Sequence, residues 1–517
     1  MTIKTSNELK QIHVNQLGYR PNDIKKAIAP QSETTFYIMR TGDKAIVYEG
    51  MTSEPVSDAA SMDTVRIADF SLFKEKGEYT LHTAEGSSYP FVISDNPYTD
   101  LRIALLDMLN YQKCGIDLDC GLWSHPACHN TFATVYGTTE KKDVSGGWHD
   151  AGDYGRYIVP AAMTVADLLL AHELSPNPDP ELFEIVWFEL EWMLKMQDAV
   201  TGGVYHKVGC KQFNALDEMP QNEHNELILS PISPTATADF AASMALASRF
   251  YPAKNKILLD AAKRAWEWCT ANPDAPNFKN PPDIRTGEYG DRDNKDELFW
   301  AACELFVATG DEIYHDAIKS GEVYTGLGWA DMGTYGLSAY LLHADDKADT
   351  ALLMKMKDKL LSICKEIMNQ YSNDPYGVSL GTRYAWGSNL TVGNNAMTLL
   401  LGSRFAEDRA AYTEAALEHI HYLLGRNPLS QSYITGFGPT APQHPHHRPS
   451  VALGSAVPGM VVGGPNMYIQ QDPALRSNCA GRPPAKCYID HKDSYASNEV
   501  TIYWNSTVYF VAAVLGL

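Results

Sequence analysis

Close to the C-terminus an acid stands among aromatic rings: Tyr488-Ile489-Asp490, then Tyr495, then Asn498-Glu499-Val500-Thr501, then Trp504-Asn505-Ser506. Glu499 falls four positions after Tyr495, on what reads as the first turn of the final helix. Ring faces stack on the C–H surface of a pyranose, and an apolar wall raises a carboxyl's pKa until it can donate a proton. An ordinary amphipathic helix start has the same pattern, so other segments must decide. Gly146-Gly147-Trp148-His149-Asp150-Ala151-Gly152-Asp153-Tyr154 sets two Asp three residues apart between glycines. Glycines admit tight turns and close ligand approach, and two neighbouring carboxylates can hold and deprotonate one water. An Asp-Gly turn followed by a helix N-cap at Asp153 would explain those residues without chemistry. The third segment, Ser432 to Gly438 and on to His446-His447-Arg448, is too rich in Gly and Pro for regular structure. Its His and Arg side chains carry donors for sugar hydroxyls or a bound carboxylate; the plain alternative is a solvated basic loop.

Taken together, the three segments resemble glycoside hydrolase family 9, the inverting cellulases. The closing segment matches the family's C-terminal pattern at Tyr488, Asp490, Tyr495, Glu499, Thr501, Asn505 and Ser506. The loop from Ser432 to Arg448 matches a second pattern, with Thr440 standing where a basic residue or Asn is usual, and His149 stands where many members carry Tyr. The resemblance runs over essentially the whole chain. It implies hydrolysis of β-1,4-glucosidic bonds of cellulose, cello-oligosaccharides or related β-glucans with inversion, by an endoglucanase or cellodextrinase. Glycoside hydrolysis needs an acid on the leaving oxygen and a base on the water. Glu499 is assigned as general acid, Asp153 as general base and Asp150 as its partner on the water. The resemblance places His446 and Arg448 on sugar hydroxyls near the cleavage point, and Asp490 in positioning this segment or the substrate. Trp386 is the first candidate for a stacking platform, ahead of Tyr495 and Trp504, since an aromatic on a helix is more often core. An exo-acting β-glucosidase or β-glucosaminidase of the same family is the alternative. A metallohydrolase and a catalytically dead sugar-binding protein are the readings from other classes, and retention of all three acids argues against the second.

Cys114, the pair Cys128-His129, and His149 supply two thiols and two imidazoles, the composition of a closed structural zinc site. Their spacing is not that of a compact zinc finger, and buried free Cys is the plain alternative. The resemblance implies zinc on these four, because relatives with an N-terminal sandwich carry such a site. Cys120 and His125 are nearby competitors. A calcium site is implied at Asp296 and Glu297, with Asp331 as third carboxylate; the local sequence is no EF-hand, and an acidic N-cap cluster would look similar.

What must position these residues is a chain of 517 residues, 44% hydrophobic, which suggests two domains. Short strands separated by turn residues, from Ile12–Val14 to Tyr89–Ile93, predict an all-β sandwich over residues 1–95; the resemblance makes it immunoglobulin-like. Asn96-Pro97 marks the boundary. Residues 96–517 carry about twelve stretches of helical periodicity, and the resemblance closes them into an (α/α)6 barrel. The net charge of −21 argues against nucleic acid and anionic membranes as partners. A monomer is expected. Residues Met1 to Gln11 lack the apolar core of a signal peptide, and nine scattered Cys argue against a disulfide scaffold. The expected location is therefore cytoplasmic as the sequence stands, or secreted if an export signal has been removed.

Overall fold

The computed structural model describes residues 10–344 and 347–517. Ten short strands come first: β1 (Lys10–Ile12), β2 (Gly18–Tyr19), β3 (Lys26–Pro30), β4 (Thr35–Arg40), β5 (Ile46–Met51), β6 (Val56–Asp58), β7 (Asp63–Asp69), β8 (Gly77–His82), β9 (Gly86–Ser88) and β10 (Phe91–Ile93). One sheet has the order β1-β9-β8-β10-β2, with β4 pairing β8 and β5; the other is β3-β7-β6. Alternation sorts the side chains. Phe36 and Ile38 of β4, Tyr79 and Leu81 of β8, and Phe91 and Ile93 of β10 point into a shared core with Ala27 of β3. One residue along β3, Ile28 faces the other way and joins the core of the helical part, as does Val65 of β7. The small sheet therefore serves two cores at once.

The long helices are α1 (Thr99–Tyr111), α2 (Ile158–Leu174), α3 (Leu182–Lys195), α4 (Pro234–Phe250), α5 (Asn255–Ala271), α6 (Lys295–Thr309), α7 (Glu312–Ser320), α8 (Gly333–His343), α9 (Thr350–Ser372), α10 (Ser388–Ser403) and α11 (Arg409–Leu423). After the short α12 (Arg448–Leu453), α13 (Pro473–Cys479) and α14 (Tyr495–Asn498) comes α15 (Ile502–Val514). They fall into two kinds. α2, α4 and α15 are buried nearly all round, with Thr, Ser and Asp among their buried residues, the pattern of helices packed on every side. α5 and α9 bury single stripes, Leu258-Ala261-Ala262-Ala265 and Leu352-Met356-Leu360-Cys364, the spacing of a helix with one wet face. α15 packs on α2, α2 on α4, α4 on α6, α6 on α8, and α10 on α15.

Two expectations need correction. Glu499 does not sit on the final helix. Thr501 is extended (φ −143°, ψ 156°) and its hydroxyl accepts from Trp504 N, so it caps α15 and the helix begins at Ile502. Glu499 lies just before it, in extended backbone. Nor is everything after residue 95 helix and loop. β11 (Ala133–Val135), β12 (Lys141–Lys142), β13 (Arg156–Tyr157), β14 (Lys207–Gly209) and β15 (Ile228–Leu229) form one sheet in the order β12-β11-β15-β14-β13. Strands of two or three residues are too short to show a period of two.

The sandwich is tied to the helices by polar contacts. Asn15 Nδ2 lies 2.9 Å from His421 Nδ1 on α11, and Lys26 Nζ lies 3.2 Å from Glu418 Oε2 on the same helix. Gln16 Nε2 donates to Ser430 O (2.7 Å), and Gln16 Oε1 accepts from Thr440 N (3.1 Å) and Thr440 Oγ1 (2.9 Å). Thr440, the departure from the family pattern, is thus the residue through which the sandwich grips the loop leading to His446 and Arg448.

Candidate active site

Backbone hydrogen bonds bring the three sequence segments together. His446 N donates to Asn498 O (2.8 Å) and pairs as a short parallel bridge with Glu499. Arg448 N and Nη1 donate to Gly152 O (3.1 and 2.8 Å), and Ile502 N donates to Asp150 O (2.8 Å). The result is a cavity of about 750 Å³ lined by Asp150, Asp153 and Glu499 together with Tyr157, Phe213, Tyr289, Trp329, Trp386, His446, Arg448, Tyr495, Tyr503 and Trp504.

The three acids meet different surroundings. Burial pushes the Glu499 carboxyl well above its usual range, and the charges of Asp153 and Asp150 push it further. A carboxyl pushed upward in this way is suited to donating a proton. Asp153 is raised by burial, against the pull of the Arg448 guanidinium and of Gly155 N, which donates to its Oδ2 at 2.9 Å. That contact makes Asp153 the head of a turn, not the cap of α2. Asp150 is raised well above the usual range by burial, an effect opposed by Tyr289 Oη donating to its Oδ2 at 2.6 Å. Its Oδ1 is buried without a partner.

The aromatic wall is built around α14. The Trp386 and Tyr495 rings lie 5.6 Å apart, and the His446 ring lies 6.1 Å from Tyr495, edge to face. Trp386 is 45% exposed, so its ring offers a free face. Trp504 is 2% exposed, more floor than platform. Arg448 is held from several sides: Nη2 donates to Asn214 O (3.1 Å), and its guanidinium lies 5.5 Å from the Phe213 ring centre. Asp490 is not among the cavity residues. Its carboxylate accepts from Gln443 N (2.7 Å), His444 N (2.9 Å) and Asn498 Nδ2 (3.1 Å), so it pins the His446 loop to the C-terminal segment.

Cys114, Cys128, His129 and His149 gather behind the acids, with all four ligand atoms within 4.8 Å of one another. Cys114 Sγ lies 3.8 Å from Cys128 Sγ and 3.7 Å from His129 Nδ1, and Cys128 Sγ lies 3.8 Å from His149 Nε2. A tetrahedron with zinc–sulfur bonds of about 2.3 Å has edges of about 3.8 Å. His129 Nε2 is 3.2 Å from Glu223 Oε2, the outer carboxylate a ligating imidazole usually has. Cys120 and His125 stand outside this group; His125 Nδ1 turns to Pro126 O.

Comparison with known proteins agrees with this geometry. The sequence pattern of glycosyl hydrolase family 9 matches residues 98–512, and that of the cellulase N-terminal Ig-like domain matches residues 7–88. The chain belongs to glycosyl hydrolase family 9. It is a glycosidase, with an N-terminal β-rich domain ahead of the helical one. The chain is 35% identical to endoglucanase D of Acetivibrio thermocellus, over 97% of this chain and 83% of that one. It is 34% identical to a cellodextrinase of Butyrivibrio fibrisolvens, over 97% and 99% respectively. Its fold matches the structure of AaCel9A in complex with cellobiose-like isofagomine with a TM-score of 0.92 and 40% identity, covering 98% of this chain and all of that one.

In this family 9 chain the expected calcium residues are arranged otherwise than the thiols and imidazoles. Among the described residues, Asp296, Glu297 and Asp331 do not bring their oxygens into a group as tight as the Cys/His set. Asp296 Oδ2 accepts from Met332 N (2.6 Å), and Asp331 Oδ1 from Gly333 N (3.0 Å), so both carboxylates brace the start of α8. Both Glu297 oxygens, both Asp239 oxygens and Asp291 Oδ2 are buried without partners. The sequence reading missed Asp239, Tyr289 and Gln112. Gln112 Nε2 donates to His149 O (3.0 Å) and Ala151 O (2.9 Å), and its Oε1 lies 3.1 Å from His447 Nε2. No local motif marks it; Tyr289 carries only a weak one, lying between Gly287 and Gly290.

Proposed function

We propose that this glycosidase hydrolyses β-1,4-glucosidic bonds of cellulose, cello-oligosaccharides or related β-glucans with inversion at the anomeric carbon. The observation that carries this reading is a buried acid set on one aromatic-walled cavity, with the Glu499 carboxyl pushed well above its usual range by burial and by Asp153 and Asp150. Glu499 gives its proton to the leaving oxygen as the bond from C1 breaks. Water attacks C1 from the opposite face and loses one proton to Asp153, with Asp150 orienting it. One negative charge passes from Asp153 to Glu499, and the pair is restored by proton exchange with solvent. Trp386 and Tyr495 stack on sugar rings, while His446 and Arg448 border the cleavage point. One chain supplies the whole cleft, so a monomer suffices.

In the same reading the sandwich domain is residues 1–95, of which 1–9 lie outside the described residues, and the helices of residues 96–517 close as an (α/α)6 barrel, with α2, α4, α6, α8, α10 and α15 as the inner ring. The Cys114, Cys128, His129 and His149 set fits zinc by donor type and spacing. Zinc there supplies no chemistry to substrate; with four protein ligands it has no open position and braces the loop bearing Asp150. The orphaned oxygens of Glu297 support a hard cation such as calcium with Asp296 and Asp331, where its charge would offset the buried carboxylates.

The test is product analysis on end-labelled cellopentaose beside a chitosan pentamer, with Glu499→Gln as control. Internal fragments from cellopentaose that vanish in the variant support the proposal. Stepwise release of single units favours the exo-acting alternative, and turnover of neither sugar overturns the substrate assignment.

A further inference from the structure

Lys207 is a buried cation without a counter-ion. It lies on β14, is 2% exposed, and forms no ion pair among the described residues. Its Nζ donates to Gly287 O and to Thr286 Oγ1 (3.3 Å), both neutral partners. It stands 5.4 Å from the ring centre of Tyr157 and 5.9 Å from that of Phe278. Burying an ammonium with no carboxylate against it is costly, and a methionine would fill the same space at no such cost. The charge therefore calls for a reason beyond packing.

The sheet brings that charge to the proposed base. In the β13–β14 pair Lys207 stands opposite Tyr157, and directly opposed residues project from one face. Tyr157 lines the cleft; Lys207 does not, and sits one layer behind it. A β-carbon placed on Gly155 would lie 2.5 Å from Tyr157 Oη and 2.8 Å from Asp153 Oδ2, so the far end of that ring and the Asp153 carboxylate meet at one point. A β-carbon on Gly287, whose carbonyl takes the Lys207 ammonium, would lie 2.9 Å from the same Oη. Lys207 and Asp153 thus border the same tyrosine side chain.

The groups facing Asp153 leave it short of positive charge. Glu499 and Asp150 are carboxyls, and both raise one another's burden there. Burial holds Tyr157 and Cys210 up and His446 down, so these three are uncharged at neutral pH. Arg448 is a cation, but it lines the cleft, where the reading above sets it to binding sugar. Lys207 faces Glu288 as well as Asp153, and its neighbour His206 is kept neutral by burial. Burial pulls the Lys207 ammonium down to about 8 against the attraction of Asp153 and Glu288, which leaves it charged at neutral pH. Asp153 in turn is raised by burial, against the pull of Arg448, Gly155 N and Lys207.

We propose that Lys207 is a positioning residue for the base: its ammonium acts by charge through Asp153 and keeps that carboxyl ionised, both in the free enzyme and beneath a bound sugar. This rests on the acid–base reading above. Lying outside the cavity lining, Lys207 touches no substrate and keeps its own proton throughout.

The test is the pH–kcat/KM profile on cellopentaose for wild type, Lys207→Met, Lys207→Gln and Lys207→Arg, with Asp153→Asn as control. Met fills the space without charge, Gln keeps a donor for the Gly287 loop without charge, and Arg keeps the charge. Without the cation Asp153 titrates higher, so the acidic limb should move to higher pH in both neutral variants and stay in place in Lys207→Arg. On that limb the neutral variants should fall about 3- to 10-fold below wild type, and on the plateau stay within about threefold. A loss uniform across pH overturns the proposal, as does a Lys207→Gln profile that matches wild type; either would make Lys207 a brace for the Gly287 loop. Neutral variants that do not fold, beside a folded Lys207→Arg, make it structural and overturn the proposal too. An Asp153→Asn variant that keeps its turnover, or a wild-type enzyme inactive on cellopentaose, overturns instead the reading beneath it.

Discussion

Tyr289→Phe removes one oxygen and should expose how Asp150 is kept usable. The Tyr289 ring has company, 5.0 Å from Tyr157 and 5.3 Å from Trp329, so phenylalanine keeps its packing. What goes is the 2.6 Å bond to Asp150 Oδ2, which leaves both oxygens of that buried carboxyl unpartnered. A hydrogen bond to a charged group contributes about 1.5–3 kcal/mol. At about 1.4 kcal/mol per factor of ten, the loss in kcat/KM is roughly 10- to 150-fold. The sign with pH is fixed as well. The Tyr289 hydroxyl favours the ionised form of Asp150 against burial, so without it the carboxyl titrates higher and the acidic limb of the pH–kcat/KM profile moves to higher pH. The assay is that profile on cellopentaose, wild type beside variant. A variant within twofold of wild type, with its acidic limb in the same place, would show that Asp150 does not act through its ionised form.

Three further predictions concern the frame around the site. Glu223→Gln leaves all four thiol and imidazole ligands in place but weakens the carboxylate behind His129, so zinc affinity should fall about 10- to 100-fold; competition with a chromogenic chelator reads it, and unchanged affinity would remove Glu223 from the site. Gln16→Ala should destabilise the protein by about 1–3 kcal/mol, because Thr440 N and Ser430 O lose partners; urea melts check this, and a neutral result would mean that the sandwich grips the loop elsewhere. Glu418 is pushed up by burial but held down at about 2 by Arg426 (2.7 Å) and Lys26, against an ordinary value of 4.5. A depressed carboxyl stabilises the fold above its unfolded pKa and loses that contribution as pH falls through the folded value. Thermal stability should therefore decline between about pH 4.5 and 2, and more steeply than in Glu418→Gln, where this contribution is absent at every pH.

What could be read in the sequence was local, and what could not was made by tertiary approach. The three acids, the aromatics Trp386 and Tyr495, and the four zinc candidates are of residue types that suit the chemistry, but each had a plain alternative, and the resemblance to family 9 chose between them. The start of α15 was misplaced because Glu499 and Thr501 both look like helix openers, and only the Thr501–Trp504 contact decides between them. The five-stranded sheet beside the cleft escaped because its strands run two or three residues. Asp490 stands beside the acid segment but does not line the cavity; its carboxylate is taken up by Gln443 N, His444 N and Asn498 Nδ2. Tyr289 reaches Asp150 from a loop far away in sequence, and no periodicity marks a residue whose significance lies in what its oxygen faces.

Gln112 shows why the site needs so large a frame. It closes α1, and from there one side chain touches the carbonyls on both sides of Asp150, those of His149 and Ala151, and also His447, one residue from Arg448. Its own carbonyl accepts from His149 N at 2.7 Å. The His149 imidazole faces the thiols, so a single residue couples the proposed metal cluster, Asp150 and the loop bearing His446 and Arg448. From the other side, Gln16 of the sandwich holds Ser430 and Thr440, at the start of that same loop. An inverting site must keep acid and base apart by a fixed gap, and displacements of about 1 Å can cost a hundredfold. Loops alone do not hold such a gap. Here the acids are carried on loops, and Gln112 at the end of α1 and Gln16 of the sandwich each hold one of those loops, so the β-rich domain is expected to share in keeping the gap.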